Sequence, residues 1–462
     1  MKLKNKWNGL LDWCVVHLRA TPSMQGLPYW IAAFVTALVA VGYAFSHLQT
    51  HHFLEQLVRD HPQWLYVLSP ACFLASWLVV HHMARGAAGS GIPQVLAVFE
   101  CSEISKRKKS VRALLGFRVW VAKILSSLLA VLGGGALGIE GPTIQLGAGI
   151  FFSIGKRFQK IWAHLRPEYF LVAGAGAGIA AAFNTPLGGI VYSIEEFSSA
   201  QLSRFKTFLI TGVIISGLTA QTILGTYLYL GVPKVAVFDK SILPWVIGLA
   251  ILGGLWGGLF GRLIHSISVW RAENLKNTWQ KGLLAISMGL TVAVLIIHVD
   301  SRTLGAGRNV VVDLLQKTST EQDLSLLLTR FLSPILAYVS GAAGGIFAPS
   351  LAAGGTFGHY FAGIFKPEHS NLFVLIGMIA FLTGVTRLPF TSFVLVLEMT
   401  DRHSALFPMM IAAVIANASS KLIDSKTVYE HMVPLFKKHL YKDEELEEMA
   451  AAELAIKEKI VP

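Results

Sequence analysis

Ten apolar runs follow one another along this chain, and most are too short to cross a bilayer. They occupy residues 29–45, 64–80, 119–132, 205–230, 242–260, 283–297, 324–339, 372–382, 393–397 and 406–418. A full helical crossing needs roughly 20 apolar residues. In lipid every backbone polar group must find a partner within the protein, so runs of this kind have to be helices. Those that fall short are expected to stop partway across, capped by other parts of the chain. The expected fold is therefore all-α, a polytopic integral membrane protein with interrupted and tilted helices.

Composition agrees. Of 462 residues, 53% are hydrophobic and 14% charged, against about 25% charged in soluble domains. The net charge of +12 is spread among polar loops such as SKRKKSVR (105–112) and GKRFQKIW (155–162). Basic loops between apolar runs are the orientation signal of a membrane protein, and nucleic-acid binding is set aside. Residues 1–28 hold lysines but no apolar core followed by a small-residue cleavage site. This segment is read as an amphipathic helix on the cytoplasmic face. Cys14, Cys72 and Cys101 show no metal-ligand spacing, and no disulfide is expected. His51/His52 and His81/His82 are read as interfacial, and no metal site is expected. The acidic stretch KDEELEEMAAAELAIKEKI (442–460) belongs to a cytoplasmic tail, 435–462, read as a solvated helix.

The chain also repeats itself. GIEGPTIQLGAG (138–149) lies over GIFAPSLAAGGT (345–356), matching Gly138 with Gly345, Pro142 with Pro349 and Gly147 with Gly354. NTPLGGIVYSIEE (184–196) lies over RLPFTSFVLVLEM (387–399), matching Pro186 with Pro389 and Glu195 with Glu398. The membrane part, 29–434, thus reads as two related halves, about 29–230 and 242–430. Duplicated halves with interrupted helices are a transporter pattern, in which half-helix ends meet near the midplane and hold an ion.

In both copies a glycine-rich segment runs into proline and then into an apolar stretch. Proline suits the first turn of a helix, where its missing N–H has no intrahelical partner. Pro142, Pro349 and Pro93 in GSGIPQVLAVFE (89–100) therefore mark helix starts. Glycines upstream let backbone N–H groups turn toward a common point, to which the helix end adds partial positive charge. Several such ends converging make an anion site without a fixed cation. For one glycine–proline pair, close helix packing would be sufficient explanation. Three pairs, two of them in corresponding positions, favour the ion site.

GSGIP (89–93), GIEGP (138–142), GIFAP (345–349) and the tyrosine of SKTVYEHM (425–432) resemble, in order and spacing, the signature segments of the CLC chloride channel and transporter family. The resemblance covers about residues 29–432. It is to the prokaryotic exchanger type without C-terminal CBS domains. It implies that the repeat is inverted, that the protein is a homodimer with one pathway per subunit, and that it resides in the inner membrane of a prokaryote.

It further implies a central chloride between the hydroxyls of Ser90 and Tyr429 and the backbone N–H groups of Ile346 and Phe347. Gly89, Ile139 and Gly141 complete the chloride-binding segments. Glu140 becomes the external gate, and Glu196 in SIEEF the internal proton relay. Glu195, with its repeat partner Glu398, is assigned to structure. Ile139 departs from the family, in which a lysine or arginine usually precedes the gate glutamate. Lys123, a cation within RVWVAKILSS, is left between two roles: raising the anion potential of the interior, or reaching the interface.

Glu140 stands in LGGGALGIEGPTIQLGAG (132–149) as the single charge among 18 residues. A carboxylate in the membrane costs about 2.5–3.5 kcal/mol, and a helix N-terminus returns about 0.3–2 kcal/mol of that to its charged form. A chloride about 4 Å away would repel it by about 4 kcal/mol at an effective dielectric of 20. Anion entry and proton uptake are thereby coupled through one electropositive pocket. The expected function is secondary active exchange of chloride for protons, with no cofactor beyond the transported chloride and no enzymatic activity. A passive chloride channel of the same family is the nearest alternative. A fluoride-selective relative is disfavoured by the Ser90 hydroxyl, and an intramembrane hydrolase using Ser90 lacks a base and an HExxH metal site.

Overall fold

The computed structural model describes residues 22–101, 104–159, 161–162, 165–197, 206–225, 228–235, 239–316 and 323–438. The expected N-terminal amphipathic helix lies outside these residues as far as 21, as do Cys14 and the tail from 439. The first half contains α1 (Leu27–Asp60), α2 (Leu65–Met83), α3 (Ile92–Phe99), α4 (Ile104–Leu114), α5 (Phe117–Leu132), α6 (Glu140–Phe158), α7 (Pro167–Phe183), α8 (Pro186–Glu196) and α9 (Lys206–Leu224). The second contains α10 (Leu243–Asn274), α11 (Thr278–Val294), α12 (Arg308–Gln316), α13 (Leu324–Val339), α14 (Phe347–Phe365), α15 (Ser370–Thr386), α16 (Pro389–Thr400), α17 (Leu406–Ser420) and α18 (Val428–Lys438). The fold is all-α, as the apolar runs predict.

Among the described residues, seven helical segments are long and apolar enough to cross a membrane. Shorter apolar helices, α7, α13, α15 and α16, fall below that length. Most runs coincide with a helix, but α1 and α10 continue well past the apolar stretch, to Asp60 and Asn274. The run-based reading also contains no span between 132 and 205, where α7 stands. Its core, VAGAGAGIAAAF, has no large apolar residue to announce it except isoleucine and the final phenylalanine. At the other end, α18 runs through the expected boundary at 434 to Lys438.

The repeat is visible in detail. Helices α6 and α14 each have 19 residues, and α7 and α15 each have 17. Both α7 and α15 end on a left-handed non-glycine residue, Asn184 at φ 58° and Arg387 at φ 60°. Non-glycine residues enter that region uncommonly, so finding it at equivalent positions reflects shared ancestry of the two halves.

The packing within each half repeats as well. A Cβ on Gly147 would lie 2.3 Å from the Gly174 carbonyl oxygen, and one on Gly174 would lie 2.4 Å from that of Gly147. Gly354 and Gly377 make the same mutual contact, at 2.4 and 2.3 Å. Backbone thus rests on backbone where α6 meets α7 and where α14 meets α15. Membrane helices associate through small-residue contacts of this type because lipid supplies no hydrophobic drive between them.

Between the halves, equivalent residues contact one another. Gly138 N–H donates to Gly345 O at 2.8 Å, and Gly345 N–H donates to Gly138 O at 2.8 Å. This antiparallel bridge between repeat partners marks a local two-fold axis. Glu195 and Glu398 obey it too. Glu195 accepts from the N–H groups of Phe390 (3.0 Å) and Thr391 (2.7 Å) at the start of α16. Glu398 accepts from Leu187 (3.1 Å) and Gly188 (2.8 Å) at the start of α8. The first N–H groups of a helix have no intrahelical acceptor, and each half supplies the other's.

Candidate functional site

Three helix starts are laced together at the centre. Residues 342–345, leading into α14, act as a middle strand. On one side Gly89 N–H donates to Ala342 O (3.0 Å) and Gly344 N–H to Gly89 O (2.9 Å), which fixes the turn before α3. On the other side lies the Gly138–Gly345 bridge, which fixes the turn before α6. Gly89 at φ 63° and Gly91 at φ 115° supply the left-handed backbone that this turn requires. The N-terminal ends of α3, α6 and α14 therefore converge, as the glycine–proline segments predict. The start of α18, which bears Tyr429, packs beside α3.

At this convergence Glu140 is the first residue of α6 and 1% exposed. Its carboxylate lies beside the N–H of Ala348 in the first turn of α14, and its Oε2 has no hydrogen-bond partner. A Cβ on Gly138 would fall 2.1 Å from that oxygen, so glycine there is what admits the carboxylate. Ser90 is 0% and Tyr429 1% exposed. Their hydroxyls are neighbours, and among the described residues neither makes a hydrogen bond. A Cβ on Gly141 would fall 2.3 Å from Ser90 Oγ.

Ile346 and Phe347 are buried at the start of α14, where helix geometry leaves first-turn N–H groups without intrahelical acceptors. Ile139 caps α6 and is half-buried. The structure thus brings together Ser90, Glu140, Ile346, Phe347 and Tyr429, with Gly89, Ile139 and Gly141 in the flanking turns. Orphaned hydroxyls and helix-end N–H groups in a dry interior are a donor set suited to a monovalent anion.

Glu196 stands apart from this cluster. It is the last residue of α8, half-buried, and interacts through space with Glu100, Glu195 and Glu430. Tyr429 interacts with both Glu196 and Glu140, and the buried, unpartnered Tyr192 hydroxyl interacts with Glu196 and Tyr429. Tyr429 is thus within electrostatic reach of both carboxylates, and Tyr192 of Glu196.

Lys123, left between two roles by the sequence, is 0% exposed and does not reach the interface. Its Nζ donates to Gly89 O at 2.8 Å, and no carboxylate is paired with it among the described residues. On the other side of the same peptide, the Tyr338 hydroxyl lies beside the Ser90 N–H and would meet a Gly89 Cβ at 2.7 Å. Lys123 and Tyr338 thus grip the Gly89–Ser90 peptide from both ends. Sequence reasoning did not find Tyr338, because an aromatic in SPILAYVSG carries no signal of its own. Gln145 is likewise unmarked, yet its Nε2 donates to Gly86 O (2.9 Å) and Leu114 O (2.6 Å), tying α6 to the turn before α3. No group of three or more His, Cys, Asp or Glu residues placed to hold a metal occurs among the described residues.

Duplicated halves, helices that stop at the centre and a buried carboxylate among helix ends define a polytopic membrane protein built to handle an ion. The chain belongs to the voltage gated chloride channel family, whose model matches residues 71–421. It is 31% identical over 386 residues to the H(+)/Cl(-) exchange transporter ClcA of Vibrio cholerae, covering 80% of each chain. To ClcA of Salmonella arizonae it is 29% identical over 395 residues, covering 80% of this chain and 79% of that one. Among solved structures, a slow cyanobacterial Cl-/H+ antiporter superposes with a TM-score of 0.78 at 23% identity, over 90% of this chain and 98% of the other. A CLC-type fluoride/proton antiporter superposes with a TM-score of 0.73 at 18% identity, over 89% and 98%. At such identities these two likenesses concern the fold.

Proposed function

We propose that this protein exchanges chloride for protons, with Glu140 as the external gate and Glu196 as the internal proton relay. The observation that carries the reading is the position of Glu140. Its carboxylate lies on the first turn of α14, one residue from Gly141, which Ser90 Oγ packs against, and within electrostatic reach of Tyr429. The Ser90 and Tyr429 hydroxyls both lack a hydrogen-bond partner among the described residues. Chloride held by those hydroxyls and by the N–H groups of Ile346 and Phe347 competes with the carboxylate for one positive pocket. Anion arrival disfavours the charged carboxylate and so promotes proton uptake. Supporting the reading, the relatives named as exchangers cover most of the chain.

Glu196 lies within electrostatic reach of Tyr192 and Tyr429 and of other acids. Crowded carboxylates favour retention of a proton among them, which suits a proton entry point. The working protein is a homodimer in the inner membrane of a prokaryote, with the transport domain over 29–434.

The test is flux in liposomes. With a chloride gradient imposed, the wild type moves protons against their gradient. Glu140→Gln conducts anions without moving protons, and Glu196→Gln loses proton movement while chloride still crosses. Proton pumping that survives in Glu140→Gln removes Glu140 from the gate. Chloride flux with no proton movement in the wild type makes the protein a channel.

A further inference from the structure

A second site of one-sided charge lies where the α4–α5 corner meets the C-terminal end of α6. A groove of about 990 Å³ there is lined by Lys109, Arg112, Lys156 and Arg157 over an apolar floor that includes Val111 and Phe152, and no acidic residue among the described residues lines it. Arg112, Lys156 and Arg157 are exposed, and none is paired with a carboxylate among the described residues. Two of these cations, in the last turn of α6, also answer the helix dipole. Arg112 likewise stands in the last turn of α4, whereas Lys109, earlier on that helix, lies outside the reach of either dipole.

The groove is also built at a defined depth. Residues 109–132 form one of the candidate membrane spans, so the groove sits at its end, in the headgroup region. Directly beyond it, α5 presents Phe117, 71% exposed, and Leu125, 44% exposed, with the part-buried Val121 between them. The spacing i, i+4, i+8 makes these one stripe running from the groove toward the bilayer interior. A phosphate held by Arg112, Lys156 and Arg157 would leave its acyl chains lying along that stripe.

We propose that this groove binds the phosphodiester headgroup of an anionic phospholipid. Its basic loops place it in the cytoplasmic leaflet, where anionic lipids concentrate and basic pockets between helices bind their headgroups. A free oxyanion would use the cations but not the stripe. The corner is held stiffly for the purpose. Gln145 donates to Leu114 O at 2.6 Å, and Gly149 lets α6 approach so closely that a Cβ there would lie 2.7 Å from Leu115 O. The same Gln145 donates to Gly86 O ahead of Ser90, so the occupied groove braces the turn before α3.

Delipidated full-length protein in mild detergent is titrated with phosphatidylglycerol, phosphatidylcholine or inorganic phosphate, while bound lipid is counted by native mass spectrometry and the melting temperature is followed. Phosphatidylglycerol is expected to bind and raise the melting temperature, with phosphatidylcholine and phosphate ineffective. The triple variant Arg112→Gln, Lys156→Gln, Arg157→Gln is expected to lose roughly a hundredfold in affinity, at about fivefold per basic residue. The charge-keeping triple Arg112→Lys, Lys156→Arg, Arg157→Lys should retain binding, which separates lost charge from lost folding. A control Lys421→Gln, Lys426→Gln should bind as wild type. Undiminished binding by the first triple overturns the site. Equal stabilisation by inorganic phosphate overturns the lipid as its occupant.

Discussion

Glu195 and Glu398 each seal the first turn of a helix belonging to the other half of the chain. Both lie at the C-terminal ends of short helices, and each reaches across to the helix that carries its counterpart. Replacing Glu195 by alanine strands the N–H groups of Phe390 and Thr391, and also the Thr391 hydroxyl that donates to it at 2.7 Å. Loss of a helix cap costs about 0.5–2 kcal/mol. Glu195→Ala should therefore lower the melting temperature more than Glu398→Ala, which strands two N–H groups and no hydroxyl. The ratio of chloride to protons moved should be unchanged in both, as read by liposome flux. A changed ratio would mean that Glu195 takes part in transport.

The glycine pairs predict a second ordering. Gly147→Ala and Gly354→Ala place a methyl group 2.3–2.4 Å from a carbonyl oxygen of the neighbouring helix. Backbone cannot yield as a side chain can, and overpacking of this kind costs about 1–3 kcal/mol. Gly42→Ala, with nothing within 4 Å of the added atom, should be neutral or gain up to about 1 kcal/mol from helix propensity. Melting temperatures in detergent give the comparison.

Lys123 should matter to anion binding although it does not touch the cluster of hydroxyls. Lys123→Met removes a buried hydrogen bond to Gly89 O, of a kind that contributes about 0.5–1.5 kcal/mol, and frees the peptide that aims Ser90. We expect chloride affinity, measured by isothermal titration calorimetry, to fall by up to about tenfold. Tyr338→Phe, which slackens the other end of the same peptide, should lower affinity in the same direction by less.

Ser90→Ala and Tyr429→Phe each remove a donor that has no hydrogen-bond partner among the described residues. Because nothing else depends on those hydroxyls, stability should change little. Chloride affinity should drop by roughly tenfold, since a net hydrogen bond contributes about 0.5–1.5 kcal/mol and one to a charged group more. A stability loss without an affinity loss would assign both hydroxyls to the scaffold.

The glycine–proline segments made much of the centre legible, because a proline in a first turn and glycines before it leave few backbone choices. The convergence of α3, α6 and α14 follows from them. The repeat was equally readable, since Pro186, Pro389, Glu195 and Glu398 keep their spacing. Helix α7 was not. It is as apolar as the helices around it, but its small glycines and alanines do not form the run of large side chains by which the other spans announce themselves. Tyr338 and Gln145 were invisible for another reason: their roles exist only after distant segments meet. Lys123 lay between, since its oddity was plain but its partner was a carbonyl 34 residues away.

The paired amide contacts joining Gly138 to Gly345 carry a mechanical consequence. Parting the two halves at this point would break both bonds, about 0.5–1.5 kcal/mol each, and pull apart the helix ends that meet there. Turning a single side chain beside the seam leaves the frame intact, which is the kind of motion the gate proposed for Glu140 requires.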